Sequence, residues 1–204
     1  MKIIENFLPE DMFINLYNDV NSTYLNWRVA EEKYEADMLL DKLEYIDGNY
    51  TDIISKHGFT STDYMYDIQN VIMLRDYWGA WDEINSVPII NDVMSYFDNA
   101  LDVKIPLRTK LNMSFCNSIN RVNSFHTDLS YLGDIKYKTA IIYINDNDGG
   151  TLLEDGTFVK SVSNKLVIFD GHINHAPVSQ TNTKKRFVLN YNFIWILGEI
   201  TWYQ

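Results

Sequence analysis

The chain has 204 residues, with 17 Lys+Arg against 28 Asp+Glu for a formal net charge of −11, and is 46% hydrophobic and 14% aromatic. Composition of this kind excludes a disordered, collagenous or coiled-coil chain, and the acid excess argues against a partner recognised through phosphate charge, so no nucleic acid is expected. Cys116 is the single cysteine, which excludes an internal disulfide, and no apolar run reaches the length of a membrane span; one cytoplasmic domain over 1–204 with no membrane partner is the expectation.

Helical spacing comes first. After Pro9-Glu10-Asp11, residues Phe13, Leu16, Tyr17 and Val20 recur at intervals of three and four, with proline and acids where the unpaired N–H groups of a first turn favour them. A second amphipathic helix is predicted from about Pro88, with Ile89, Ile90, Val93, Met94, Phe97 and Leu101 on one stripe, and should cover a sheet. Between the two, residues 28 to 85 mix acids with aromatics and hold no sustained period, which reads as loops with short helices. Such a segment is a candidate lid, with Arg75, Trp78 and Trp81 read as packing groups ahead of substrate contacts. The region 1–104 is therefore read as helical cover and lid.

From residue 107 the period changes to two. Leu107, Thr109, Leu111, Met113 and Phe115 share one face, while Arg108, Lys110, Asn112, Ser114 and Cys116 share the other. A strand through Phe125-His126-Thr127-Asp128, one at Thr139 to Asn145, a hairpin turning at Asp155-Gly156, and strands at Lys165 to Phe169 and Arg186 to Phe193 follow. Short strands separated by turn signals point to an antiparallel sandwich or barrel over 105–204 rather than βαβ units.

Four histidines occur, His57, His126, His172 and His175. On a strand, His126 and Asp128 project from one face and can grip one ion together, with His175 or His172 returned to them by a later strand as third ligand. Two imidazoles and a carboxylate on one side of a metal are the ligand set of non-haem Fe(II) oxygenases, which leaves positions for a chelating co-substrate and O₂. Arg186, Val188, Asn190 and Asn192 share one face of the last strand and Phe187, Leu189, Tyr191 and Phe193 the other. If the aromatic face meets the helices, Arg186 points into the barrel and needs an anion, which a carboxylate's two oxygens would match. Tyr143 would face the same interior. His57 is read as a surface-loop residue and Cys116 as a small buried one.

Together these residues resemble the 2-oxoglutarate- and Fe(II)-dependent dioxygenases, in particular the prolyl-4-hydroxylase-like branch with its bacterial and phage members. The matching stretches are His126-Thr127-Asp128, Ile142-Tyr143-Ile144-Asn145, Asp148-Gly149-Gly150-Thr151-Leu152, Asn164 to Asp170, His175-Ala176-Pro177 and Arg186-Phe187-Val188-Leu189-Asn190. The match covers roughly residues 105 to 195 well and the first hundred loosely. It implies a mostly β fold, a double-stranded β-helix or jelly-roll barrel covered by N-terminal helices. It also implies His126, Asp128 and His175 as Fe(II) ligands, leaving His172 as an exposed turn or substrate-side residue. Arg186 would hold the distal carboxylate of 2-oxoglutarate, with Tyr143 and Asn190 adding hydrogen bonds.

The chain departs from the family in lacking a glutamate after Gly149-Gly150, in a slightly longer segment before Arg186, and in placing Cys116 where some relatives have a co-substrate tyrosine. Asn112 or Ser114 of the same face would stand in for that tyrosine. The implied cofactors are Fe(II), 2-oxoglutarate and O₂, with ascorbate as an accessory reductant. The implied substrate is a peptide, protein or small molecule hydroxylated at an unactivated C–H bond, a prolyl residue by analogy; Asp128 argues against halogenation. The competing readings are a non-catalytic jelly-roll binding module and a cupin-like metalloenzyme that does without 2-oxoglutarate. Nucleic-acid demethylation would require a basic entrance groove.

Overall fold

A computed structural model of the chain describes residues 1–22, 50–58, 60–61, 70–71 and 88–195. The expected change of period at the middle of the chain is there: helices Glu10–Asn21 and Pro88–Ala100 precede a set of mainly antiparallel strands. The strands are β1 (Lys2–Ile4), β2 (Thr60–Ser61), β3 (Asn70–Val71), β4 (Ile105–Phe115), β5 (Arg121–Val122), β6 (Lys138–Tyr143), β7 (Gly150–Leu153), β8 (Phe158–Lys160), β9 (Lys165–Asp170), β10 (His175–Val178) and β11 (Lys185–Ile194). They form one sheet in the order β1-β9-β6-β11-β4-β3 and a second in the order β2-β5-β10-β7-β8. This is a mostly β fold of jelly-roll type, as read from the sequence.

Alternation along the strands decides what lies on each side of the larger sheet. Leu111 and Met113, Ala140 and Ile142, Leu166 and Ile168, and Phe187, Leu189, Tyr191 and Phe193 form one core with Leu16 and Val20 of the first helix and Ile90, Val93, Met94, Phe97 and Leu101 of the second. The predicted stripe of Pro88–Ala100 is thus the face that covers the sheet. Burying side chains of this size contributes about 1.5–3 kcal/mol each. The opposite face carries Ile141, Tyr143, Val167, Phe169 and Val188, which meet Leu153 and Val159 of the smaller sheet. A third cluster, Val122, Phe125, Leu152, Ala176 and Val178, lies beyond the smaller sheet, with Ile53 of helix Tyr50–Lys56 against it.

The hairpin between β7 and β8 turns as Asp155-Gly156 predicted. Gly156 takes φ +84°, and Leu153 N–H donates to the Thr157 carbonyl at 2.9 Å. The Gly149-Gly150 pair answers a different need, close approach: a Cβ on Gly150 would lie 2.2 Å from the Val159 carbonyl oxygen, and one on Gly149 2.5 Å from that of Val178.

Several expectations are corrected. Residues 125–128 do not form a strand; β5 stops at Val122, and His126 is joined to His175 by an isolated antiparallel bridge. Beyond it the chain leaves the sheet, because the Leu129 N–H goes to the Tyr137 hydroxyl at 3.2 Å and Ser130–Leu132 coils into a 3₁₀ turn. β1 was not foreseen. It pairs with β9, and Asn164, at φ +58°, ties the chain behind it by accepting from Leu8 N–H and donating to the Leu8 carbonyl, both at 2.8 Å. Cys116 is exposed, not buried. His57 is half-buried and sits 2.8 Å from the Gly156 carbonyl oxygen, linking the end of helix Tyr50–Lys56 to the hairpin turn. Within 28–85, the short helix Tyr50–Lys56 was anticipated in kind, and β2 and β3 were not. Arg75, Trp78 and Trp81 lie outside the described residues. No helix among the described residues is long and apolar enough to cross a membrane.

Candidate metal centre and anion site

The His126–His175 bridge is the device that builds the site. Each residue's N–H donates to the other's carbonyl at 3.0 Å, which fixes the two Cα atoms side by side and brings the ring centroids to 4.7 Å. Asp128 comes in from the turn that follows. Its Oδ1 lies 3.8 Å from His126 Nε2 and 3.9 Å from His175 Nε2, and the three candidate ligand atoms are all within 4.8 Å of one another. His126, Asp128 and His175 are therefore brought together. His172 is not among them: it is exposed in a turn, 3.2 Å from the Ile135 carbonyl oxygen, as the resemblance implied.

The chemistry of the donor set fits a divalent cation. His126 Nδ1 is 3.1 Å from the Ser124 carbonyl oxygen and His175 Nδ1 is 3.2 Å from that of Ile173. A carbonyl accepts only, so each Nδ1 carries the proton and each Nε2 turns a lone pair toward Asp128. Although 39% of the His126 side chain meets solvent, desolvation of the ring, and after it the facing His175, push its pKa down to about 4 against the pull of Asp128. The imidazole is thus neutral, the form a metal needs. Burial alone would raise the Asp128 carboxyl, but His175, Arg108, His126 and the Asn192 amide outweigh it and hold the group well below the usual carboxylate range.

The interior face of the larger sheet leads from this cluster to Arg186. Register across β4 and β11 pairs Arg186 with Ser114, Val188 with Asn112, Asn190 with Lys110 and Asn192 with Arg108, so the polar residues expected to share a face do. Arg186 is 5% exposed, with Nη2 donating to the Gly150 carbonyl at 3.0 Å and the guanidinium carbon 5.9 Å from the Tyr143 ring centroid. The Tyr143 hydroxyl lies 2.8 Å from Thr151 Oγ1 and 3.3 Å from the Val159 carbonyl oxygen, and burial pushes its pKa up to about 12, so it stays a neutral phenol. Thr151, which directly follows the Gly149-Gly150 pair, makes that contact. Asn112 and Asn190 are diagonal neighbours on the wall between Arg186 and the His-Asp cluster, and the Oδ1 atom of each is buried with no hydrogen-bond partner among the described residues. A buried amide oxygen without a donor costs about 1–3 kcal/mol. That cost falls away when a ligand supplies the hydrogen.

Three polar residues of the interior went unassigned in the sequence reading. Arg108 Nη1 donates to the Asp128 main-chain carbonyl at 3.0 Å, Asn192 Nδ2 donates to Asp128 Oδ2 at 2.9 Å, and Lys110 is 8% exposed opposite Asn190. The signal that could have found them is the two-residue phase itself, which puts Arg108 and Lys110 on the face of Asn112, and Asn192 on the face of Arg186.

No family model and no curated protein sequence matches the chain. Among solved structures, a Pseudomonas putida prolyl-4-hydroxylase is similar at 12% identity over 95% of this chain and 92% of its own, with a TM-score of 0.46. A Trichoplax adhaerens prolyl hydroxylase, solved with a hypoxia inducible factor oxygen degradation domain peptide fragment, shows 12% identity, coverage of 94% and 82%, and a TM-score of 0.49. HygX from Streptomyces hygroscopicus, solved with nickel and 2-oxoglutarate bound, shows 9% identity, coverage of 96% and 82%, and a TM-score of 0.48. Likeness at this level lends no weight to any activity. That has to come from the site's own atoms.

Proposed function

We propose that the chain is a 2-oxoglutarate- and Fe(II)-dependent oxygenase that hydroxylates an unactivated C–H bond. The observation that carries the reading is the convergence of His126, Asp128 and His175 on one point at the end of an interior wall that also holds the buried guanidinium of Arg186. A divalent iron at the three ligands supplies oxidation chemistry with O₂, in which 2-oxoglutarate and R–H go to succinate, CO₂ and R–OH.

The chain's own residues bind and orient. His126 and His175 offer Nε2, with their tautomers set by the Ser124 and Ile173 carbonyls, and Asp128 offers Oδ1. Arg186 takes one carboxylate of the co-substrate by a charge-assisted pair in a site from which water is largely excluded, so the pair gains more than it would at a surface. The Tyr143–Thr151 hydroxyl pair can reverse its direction, because Thr151 can donate to Tyr143 while Tyr143 donates to an incoming carboxylate. The amides of Asn112 and Asn190 line the path between the two ends, and their Nδ2 groups are the donors available to a co-substrate whose oxygens only accept. The partly exposed side of His126 is the approach for the substrate. The sequence resemblance makes a prolyl residue of a peptide the first substrate to try, and ascorbate the first accessory reductant. Placement in the cytoplasm, where iron and 2-oxoglutarate meet, belongs to the same reading.

The test is to incubate the chain with Fe(II), 2-oxoglutarate and O₂ and follow succinate by NMR. Succinate that requires His126, Asp128, His175 and Arg186 supports the oxygenase. A chain that binds metal but forms none is a binding module, and substrate oxidation that proceeds without 2-oxoglutarate and survives Arg186→Ala is the work of a metalloenzyme without this co-substrate.

A further inference from the structure

Asn192, the residue at the metal end of the interior face of β11, is 1% exposed. In register it is paired with Arg108 on β4 and with Thr139 on β6, so the three side chains make one row across three adjacent strands. Both protons of its amide nitrogen are in use: Nδ2 donates to Asp128 Oδ2 at 2.9 Å and to Thr139 Oγ1 at 3.0 Å. From the other side of the row, Arg108 holds the Asp128 main chain at its carbonyl and lies 3.8 Å from Oδ1. The opposite end of the amide, Asn192 Oδ1, is buried without a hydrogen-bond partner among the described residues. A buried acceptor left in that state is unfavourable, so the orientation is explained by what the nitrogen does; turned over, the amide would aim a carbonyl oxygen at a carboxylate oxygen.

We infer that Asn192, backed by Thr139 and flanked by Arg108, is a positioning residue that makes Asp128 present a single oxygen to the metal. With Oδ2 tied to the amide, Oδ1 is the oxygen that faces both imidazoles, at 3.8 and 3.9 Å. The inference rests on the metal-site reading above and sharpens it. A carboxylate that binds through one oxygen would take one coordination position where a two-oxygen grip would take two, so the row would leave a position free for co-substrate or O₂. The role belongs to the chain beyond the ligands, because changing a partner that orients a ligand typically costs about 10- to 100-fold in metal affinity.

The experiment compares the unmodified chain, Asn192→Leu and Thr139→Val by equilibrium dialysis against Mn(II) and by the visible absorption of bound Co(II). Asn192→Leu is expected to weaken Mn(II) retention about 10- to 100-fold and to change the Co(II) bands, since the freed Oδ2 alters how the carboxylate binds. Thr139→Val, which leaves the Asn192–Asp128 bond but removes its backing, is expected to shift both in the same direction by less. Unchanged affinity and superimposable spectra in Asn192→Leu overturn the inference, whatever its melting temperature does. Should that variant not fold, Thr139→Val decides by the same two readouts. Failure of the unmodified chain to retain either ion removes the metal-site reading and this one with it, whereas retention indifferent to residues 192 and 139 removes this one alone.

Discussion

The two faces of β11 place opposite kinds of side chain on alternate residues of one strand. Phe187, Leu189, Tyr191 and Phe193 pack against the helices in an apolar core, while Arg186, Asn190 and Asn192, one residue out of phase, line the interior with Arg108, Lys110 and Asn112 opposite. One face is apolar throughout, while the other sets a polar row beside Val188. Because each is served by alternate residues of the same strands, the sheet can line its interior with polar groups while the larger apolar core lies on its helix-facing side and the smaller cluster around Tyr143 and Val188 joins it to the second sheet. Changes on the two faces should therefore separate into losses of ligand binding and losses of stability.

The sharpest break of that division is Asp128→Ala, which is expected to abolish divalent metal retention and succinate formation, measured by dialysis and NMR, while the chain still folds. Arg186→Ala comes next. Removing a hydrogen-bonded charge partner should weaken 2-oxoglutarate binding about 100-fold with metal affinity kept, as calorimetry would read it. On the other face, Leu189→Ala, at a residue 0% exposed, should cost about 2–5 kcal/mol of unfolding free energy in a denaturant titration and leave metal affinity untouched.

Acid should act through the interior. His126 has an ordinary value of 6.5 and a folded value of about 4, so between these the unfolded chain binds more protons. The stability of the metal-free chain is then complete above pH 6.5 and falls as pH drops toward 4. Asp128, held below its ordinary 3.8, extends the loss to lower pH. His126→Gln should flatten the limb between pH 6.5 and 4 in melts run across that range. The smallest effect is expected of Tyr143→Phe, which deletes one hydroxyl and should weaken 2-oxoglutarate about 2- to 10-fold, leaving the melting temperature nearly in place.

What was legible beforehand follows the same division. A strict period of two fixes which side chains share a face, so Arg186, Asn190 and Asn112 could be placed inside from the aromatic run on the other phase, and Asp155-Gly156 and the Ile90-to-Leu101 stripe were equally plain. What had no period could not be read. β1 has three residues and β2 and β3 two each, and such short strands exist only because a sheet edge is there to pair with. His126 and Asp128 were assigned to a strand on the strength of their spacing, yet they converge through a single bridge and a turn, which depend on His175 arriving from far along the chain. Asn192 lay in the right phase, but its task is visible only once Asp128 is seen beside it. Cys116, at the exposed end of the interior face, shows that alternation tells side but not depth.

The central claim is that the metal ligands and Arg186 grip two ends of one molecule. Calorimetric titration of 2-oxoglutarate into the chain loaded with Ni(II), which holds the geometry without turnover, tests it most directly. Strong binding that is weakened both by omitting the metal or replacing Asp128 with Ala and by replacing Arg186 with Ala is the predicted result. Binding of equal strength without the metal, or without the guanidinium, would contradict it.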